Sequence, residues 1–151
     1  MHRDIKLDNI LLNCYGDIKI ADFGVSKRIT KGEILYQRYG TPVYVAPEIL
    51  KDQGYEGPPV DIWSAGVVLY ALLYENFPFS GNTVEDLEKN IQKGKYILPT
   101  DISSEARDLL SHMLDSNPIT RITISQIYKH SWMQSIDESC IAYNNNSMFI
   151  Q

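Results

Sequence analysis

The chain has little cysteine: two in 151 residues, Cys14 and Cys140. Thiols so few and so far apart exclude a disulfide framework and imply two free thiols in a reducing compartment, cytoplasmic or nuclear. The first residues also lack an apolar core, because charges at positions 3, 4, 6 and 8 interrupt the place a secretory leader would occupy. Long hydrophobic runs are missing too. The most apolar stretch, Ala65 to Tyr74 broken only by Gly66, falls far short of the ~18–20 residues that cross a bilayer. Basic residues are in deficit, 14 against 19 acidic ones, for a net charge of -5. That balance argues against general binding to nucleic acid or to an anionic membrane. No internal repeat is visible.

What is present is an ordinary globular balance of 44% hydrophobic and 22% charged residues, enough for one domain-sized unit. One stretch departs from the ordinary: His2-Arg3-Asp4-Ile5-Lys6-Leu7-Asp8-Asn9, running into Ile10-Leu11-Leu12. It crowds two carboxylates, a lysine, an arginine and an amide ahead of a short apolar run. Asp4 and Asn9 are separated by four residues, the spacing of a phosphoryl-transfer loop. A solvated charged loop before a strand is the plain alternative.

Ile10–Leu12 and Ile18–Ala21, with the Gly16-Asp17 turn signal between them, predict a small hairpin. Asp22-Phe23-Gly24 follows directly. Val25 to Tyr39 has no helical stripe and reads as a long loop carrying Ser26, Thr30 and Tyr36. Pro47–Lys51 predicts a short helix opening on proline, and Tyr55–Pro59 another loop. Asp61 stands at the start of a helix running from Ile62 to about Tyr74, apolar nearly all round and therefore buried. Thr83, with Asp86 three residues on, caps a helix to about Gln92, ended by Gly94. Ser103 or Ser104 caps the next, whose stripe is Leu109, Leu110, Met113 and Leu114, and Asn117-Pro118 ends it. Thr123–His130 predicts a last helix, with Trp132-Met133 docking after it. From Ile136 onward nothing is periodic, and 135–151 is expected to be a loosely held tail.

His2–Asn9 followed by Asp22-Phe23-Gly24 resembles the catalytic loop and metal-binding motif of eukaryotic protein kinases, and Ala46-Pro47-Glu48 matches the close of their activation segment. Gly40-Thr41-Pro42-Val43-Tyr44 resembles the loop beside the phosphoacceptor. The resemblance covers residues 2 to about 134. It implies a kinase-like large (C-terminal) lobe over 1–134, mainly α-helical with a small β-hairpin beside the catalytic loop. It also implies the serine/threonine type, most like the calcium/calmodulin-dependent and SNF1-related group.

The resemblance carries roles to individual residues. Asp4 would accept the proton of a substrate Ser or Thr hydroxyl, and Lys6 would meet the migrating phosphoryl group of ATP. Asn9 and Asp22 offer the hard oxygen ligands that Mg²⁺ prefers, and Leu11 would form the floor under the adenine. Thr41 would bond Asp4 and Lys6 across the cleft, and Val45 would line the pocket for the residue after the phosphoacceptor. Glu48 and Arg121 would form an ion pair anchoring the activation segment. Asp61 is either a helix N-cap or an acceptor for backbone N–H groups of the catalytic loop. His2 and Phe23 would be apolar-spine residues, with Gly24 and Gly40 shaping the segment. His112 and His130 have no acidic or cysteine partner at ligand spacing, so no zinc site is expected.

Two departures from the pattern matter. The glycine-rich nucleotide loop, strand lysine and helix glutamate of a kinase small lobe do not occur in the sequence. The chain taken alone is therefore expected to be inert, a fragment or a docking module with an apolar upper surface. Arg3 marks kinases switched by activation-loop phosphorylation, yet the usual acceptor, three residues before Gly40, is Gln37. The loop is expected to be ordered without phosphorylation there, or through another residue. Protein substrates, and an upstream kinase or regulatory protein, are the implied partners.

Overall fold

In the computed structural model, residues 1–134 are described except Asp52 and Pro99; the expected tail at 135–151 lies outside them. The fold is built outward from α1, Pro59–Tyr74. Its sequence leaves hardly any polar face, and Val60, Trp63 and Val67 are all but inaccessible. Gly66 lets a neighbour come close: a Cβ there would stand 3.0 Å from Met113 Cβ and 3.1 Å from Leu114 Cδ2. That neighbour is α3, Ser104–Met113, whose Leu109, Leu110 and Met113, with Leu114 just after it, are buried as their spacing predicts. Ser103 is the residue that caps it, accepting from Ala106 N–H at 3.1 Å. No described helix is long and apolar enough to cross a membrane.

The other capping expectation holds as well. Thr83 accepts from Asp86 N–H at 3.1 Å and opens α2, Val84–Lys93. The hairpin forms from β1, Ile10–Leu12, and β2, Ile18–Ile20, paired antiparallel with Leu11 opposite Lys19.

Tertiary contacts overrule the sequence at five places. Within the long loop at 25–39, Ile34–Leu35 forms a two-residue strand, β3, paired with β4, Tyr55–Glu56, inside the other expected loop. Neither segment is periodic, so only the pairing partner defines them. Pro47–Lys51 is a turn and not a helix, with single bonds such as Ile49 N–H to Ala46 O at 3.0 Å. Asp61 lies inside the first turn of α1, which begins at Pro59, so it does not cap the helix. The α3 helix closes at Met113, before Asn117-Pro118. The last helix divides into α4, Ile124–Tyr128, and α5, Ser131–Gln134. The break falls at His130, whose ring Nδ1 accepts from Trp132 N–H at 3.2 Å.

The core gathers α1 with Ile5, Leu35, Tyr44, Val45, Ile49 and Leu110. The turn carrying Glu48 and the catalytic loop are thus packed onto the same post.

Candidate active site

The position of Asp61 organises the loop. Its carboxylate accepts from His2 N–H at 2.7 Å and from Arg3 N–H at 2.8 Å. Two charge-assisted bonds to consecutive amides fix the backbone where Arg3 adopts a left-handed φ of 72°. Of the two sequence readings for Asp61, the acceptor reading is the one the structure bears out.

His2 is buried and spans the loop. Its Nε2 is 2.9 Å from Ala21 O and its Nδ1 accepts from Asp4 N–H at 3.3 Å. Both bonds can form only with the ring proton on Nε2. The ring meets Phe23 edge-on at 4.9 Å, so the expected His2–Phe23 contact is present, with Phe23 still 62% exposed.

A 3₁₀ turn at Leu7–Asn9 follows and brings Asn9 back under Asp4. Asn9 is buried, and its Nδ2 donates to Asp4 O at 2.9 Å and reaches Asp4 Oδ2 at 3.4 Å. With the amide nitrogen so committed, Oδ1 is the Asn9 atom left for a cation. Asp22 has a φ of 60°, directly beyond β2. One of its oxygens accepts from Gly24 N–H at 3.2 Å, leaving the other for a metal. A carboxylate and an amide oxygen are the hard donors that magnesium takes, with water and phosphate completing its octahedron. The donor set therefore fits Mg²⁺.

Thr41 reaches Asp4 from the opposite side. Its N–H donates to Asp4 Oδ1 at 3.1 Å and its hydroxyl lies 3.2 Å from the same oxygen. Lys6 Nζ completes the group, 2.9 Å from Asp4 Oδ2 and donating to Thr41 Oγ1 at 3.0 Å. Burial by itself would push the Asp4 carboxyl up, but Lys6 and the two Thr41 donors outweigh it and hold it below the ordinary range. Lys6 is pushed the other way, chiefly by Asp4, with Asp8 and Asp22 adding negative charge nearby. Asp8 itself is exposed.

A folded-state pKa below the unfolded one stabilises above the unfolded value, and that contribution is lost as pH falls. Thr41→Val removes one of the two Thr41 donors, so the Asp4 carboxyl should titrate closer to the usual aspartate value. Carboxyl-carbon NMR through a pH titration reads this directly. An unmoved titration would mean that Lys6 and the remaining Thr41 N–H set the value between them.

Gly40 makes the approach of Thr41 possible. Its φ is 114°, and a Cβ there would sit 3.2 Å from both Arg3 O and Val45 Cγ2. Gly40→Ala should destabilise the chain by about 1–3 kcal/mol and draw Thr41 away from Asp4. Urea unfolding checks the first effect, and a mutant with the wild-type midpoint would contradict it. Val45 is buried and lines a small recess with Arg3, Asp4, Gly40 and Thr41. Leu11, in the middle of β1, is half exposed.

Glu48 and Arg121 form the expected pair in bidentate geometry, Nη1–Oε1 at 2.6 Å and Nη2–Oε2 at 2.9 Å, with the arginine side chain wholly buried. Arg121 also donates to Asp115 O and Pro59 O and lies 5.1 Å from the Trp63 ring centroid.

Sequence reasoning missed the partners of Arg3. Its guanidinium stacks over the Tyr39 ring at 4.3 Å, and its Nε donates to Val25 O. Tyr55 joins them, its hydroxyl donating to Gln37 O at 2.9 Å. An aromatic residue directly before Gly40 was the available signal. Elsewhere the loop is tied by Lys27–Glu33 at 2.6 Å; Lys27, with the Thr30 amide, takes the Glu33 carboxyl down to about 2. A second miss concerns His112 and His130. Asp108 stands 3.0 Å from His130 Nε2 and 3.7 Å from His112 Nδ1, so both histidines do have an acidic partner.

A base, a cation, an amide and a second carboxylate thus converge on one open shelf. A recess of about 550 Å³ lined by Ile29, Tyr55, Pro59 and Ile119 touches none of them. The model of the protein kinase domain matches residues 1–133. The chain belongs to the protein kinase family. Among its relatives, this kinase chain is 47% identical to "Probable serine/threonine-protein kinase MARK-C" of Dictyostelium discoideum, over 87% of the chain and 17% of that protein. It is 43% identical to "CBL-interacting protein kinase 31" of Oryza sativa subsp. japonica, over 88% of the chain and 30% of that protein. It is 45% identical to "Carbon catabolite-derepressing protein kinase" of Secale cereale, over 89% of the chain and 27% of that protein. The chain therefore spans less than a third of the length of each. These relatives support a eukaryotic serine/threonine protein kinase, the type the motifs implied.

Proposed function

We propose that residues 1–134 are the large lobe of a serine/threonine protein kinase, supplying the base and the metal ligands for transfer of the ATP γ-phosphoryl group to protein hydroxyls. The observation that carries this reading is the Asp4 carboxylate, gripped by Thr41 on one oxygen and by Lys6 on the other. Phosphoryl transfer asks the protein mainly to position groups and neutralise charge. Asp4 orients the attacking hydroxyl and accepts its proton; Lys6 presents a positive charge to the transferred group. Asn9 and Asp22 would hold Mg²⁺, which when bound neutralises the phosphate oxygens. Thr41 fixes the Asp4 rotamer. Leu11 would lie beneath the adenine, and the pocket beside Val45 would take an apolar residue following the acceptor.

Residues 1–134 provide one side of a nucleotide site, so turnover requires a covering lobe. A chimera tests the reading: the segment preceding the matched region in the Oryza relative, fused ahead of Met1. With Mg-ATP and a serine-bearing peptide library, phosphopeptide is the expected product. A folded chimera that binds Mg-ATP and transfers nothing would sink the reading.

A docking role without turnover draws on a different observation. Leu11, Leu12, Ile18, Ile20 and Phe23 expose an apolar face on and beside the hairpin, a surface suited to a protein partner. Under either reading the site of action is cytoplasmic or nuclear, and an upstream kinase or regulatory protein is the expected regulator.

A further inference from the structure

Among the described residues, one cluster of ligating side chains lies outside the phosphoryl-transfer site. Asp108 and His112 are one turn apart on α3, and His130 stands at the corner between α4 and α5. One donor atom from each can be chosen so that all three lie within 4.8 Å of one another. We propose that Asp108, His112 and His130 form a three-ligand site for a late first-row divalent cation, zinc foremost, that pins α3 to the α4–α5 corner.

The donor set is the first argument. Two imidazoles and one carboxylate are a three-ligand combination that zinc accepts, with water in the fourth tetrahedral position. The second is orientation. His112 Nδ1 lies 2.8 Å from the Asp108 backbone carbonyl, and that oxygen can only accept. The ring proton is therefore on Nδ1 and the Nε2 lone pair is free. Ligating histidines are commonly held by such a bond from the other ring nitrogen.

The third argument is mechanical. His130 has 11% side-chain exposure, against 58% for Asp108 and 52% for His112. Its backbone is tied too, N–H to Ile127 O at 3.0 Å and carbonyl to Met133 N–H at 3.0 Å. A tetrahedral zinc ion needs ligand atoms about 3.3 Å apart. Bringing His112 Nε2 and the Asp108 carboxylate to that spacing around His130 falls to the two more exposed side chains. At His130 the cation takes the place of the Nε2 proton that now bridges to Asp108. That proton moves to Nδ1, the ring stays neutral, and the bond from Trp132 N–H at 3.2 Å is given up.

The test uses the full 151-residue chain with Cys14→Ser and Cys140→Ser, so that thiols do not compete. Zinc titrated by calorimetry should bind at one equivalent in the micromolar range. The melting temperature should rise with zinc and fall back with EDTA, and cobalt in its place should give the visible absorption of a tetrahedral site. His112→Gln alters an exposed side chain and leaves the fold intact. Loss of even an outer-shell partner weakens metal binding about 10–100-fold, so this variant should lose at least tenfold in affinity. His130→Gln should do the same. Absence of binding to the parent chain, or binding that His112→Gln leaves unchanged, overturns the proposal.

Discussion

Replacing Asp4 with Asn in the chimera should lower phosphate transfer to a serine peptide by about 10²–10⁴-fold, the usual worth of a positioned base. The loss should fall on kcat, with KM for ATP nearly unchanged, because Asp4 meets the hydroxyl and not the nucleotide. The substitution is close to isosteric, and Thr41 can still donate to the remaining amide oxygen, so the fold should hold. Lys6, however, loses its anionic partner at 2.9 Å and keeps only its bond to Thr41. Part of the loss therefore belongs to Lys6. A double-mutant cycle with Lys6→Met separates the two, and strong non-additivity is expected because the groups act as one unit. An Asp4→Asn chimera with wild-type kcat would remove Asp4 from the chemistry.

The largest expected effect on stability comes from Arg121→Ala. The substitution leaves Glu48 as an uncompensated buried charge, a situation that costs about 3–5 kcal/mol. For a domain of this size the melting temperature should fall by roughly 10–20 °C. The damage should spread beyond the pair, since Arg121 also bonds Asp115 O and Pro59 O and thereby joins the Glu48 turn to the start of α1. Replacing both partners, Glu48→Leu with Arg121→Met, should recover much of the loss because no charge is left buried. An Arg121→Ala protein that melts with wild type would show that the pair contributes nothing net. Differential scanning calorimetry of the three proteins decides it.

The first of these sites was also the most legible in the sequence, for a physical reason, whereas the Glu48–Arg121 pair, 73 positions apart, came only from the resemblance. Asp4, Lys6 and Asn9 lie within one short stretch, and their chemistry dictates both residue types and spacing. Helix caps were legible on the same ground: Thr83 and Ser103 act on amides three residues away. The hairpin was legible because Gly16 and Asp17 mark its turn.

What failed depends on partners distant in the chain. β3 and β4 are two residues each and exist only through one another. For Asp61 only the cap reading failed; the acceptor role rests on amides 58 and 59 positions away and came from the resemblance. The Pro47–Lys51 segment has the composition of a helix start, yet it is drawn into a turn by the burial of Ile49 and Leu50 and by the bond that Glu48 accepts from Arg121. His112 and His130 look isolated because their acidic partner Asp108 reaches one along the helix and the other across 22 positions. Arg3 similarly finds Tyr39 only after the segment from 25 to 39 folds back over the loop.

The central claim is that Asp4, Lys6, Asn9, Asp22 and Thr41 form a working phosphoryl-transfer centre of the serine/threonine type. The most direct measurement is the initial rate of Mg-ATP-dependent phosphate transfer by the chimera to two peptides differing only in serine or tyrosine at the acceptor position. Phosphorylation of the serine peptide, none of the tyrosine peptide, and loss of the signal on Asp4→Asn are predicted. Equal rates on the two peptides, or a serine rate indifferent to Asp4→Asn, would contradict the account.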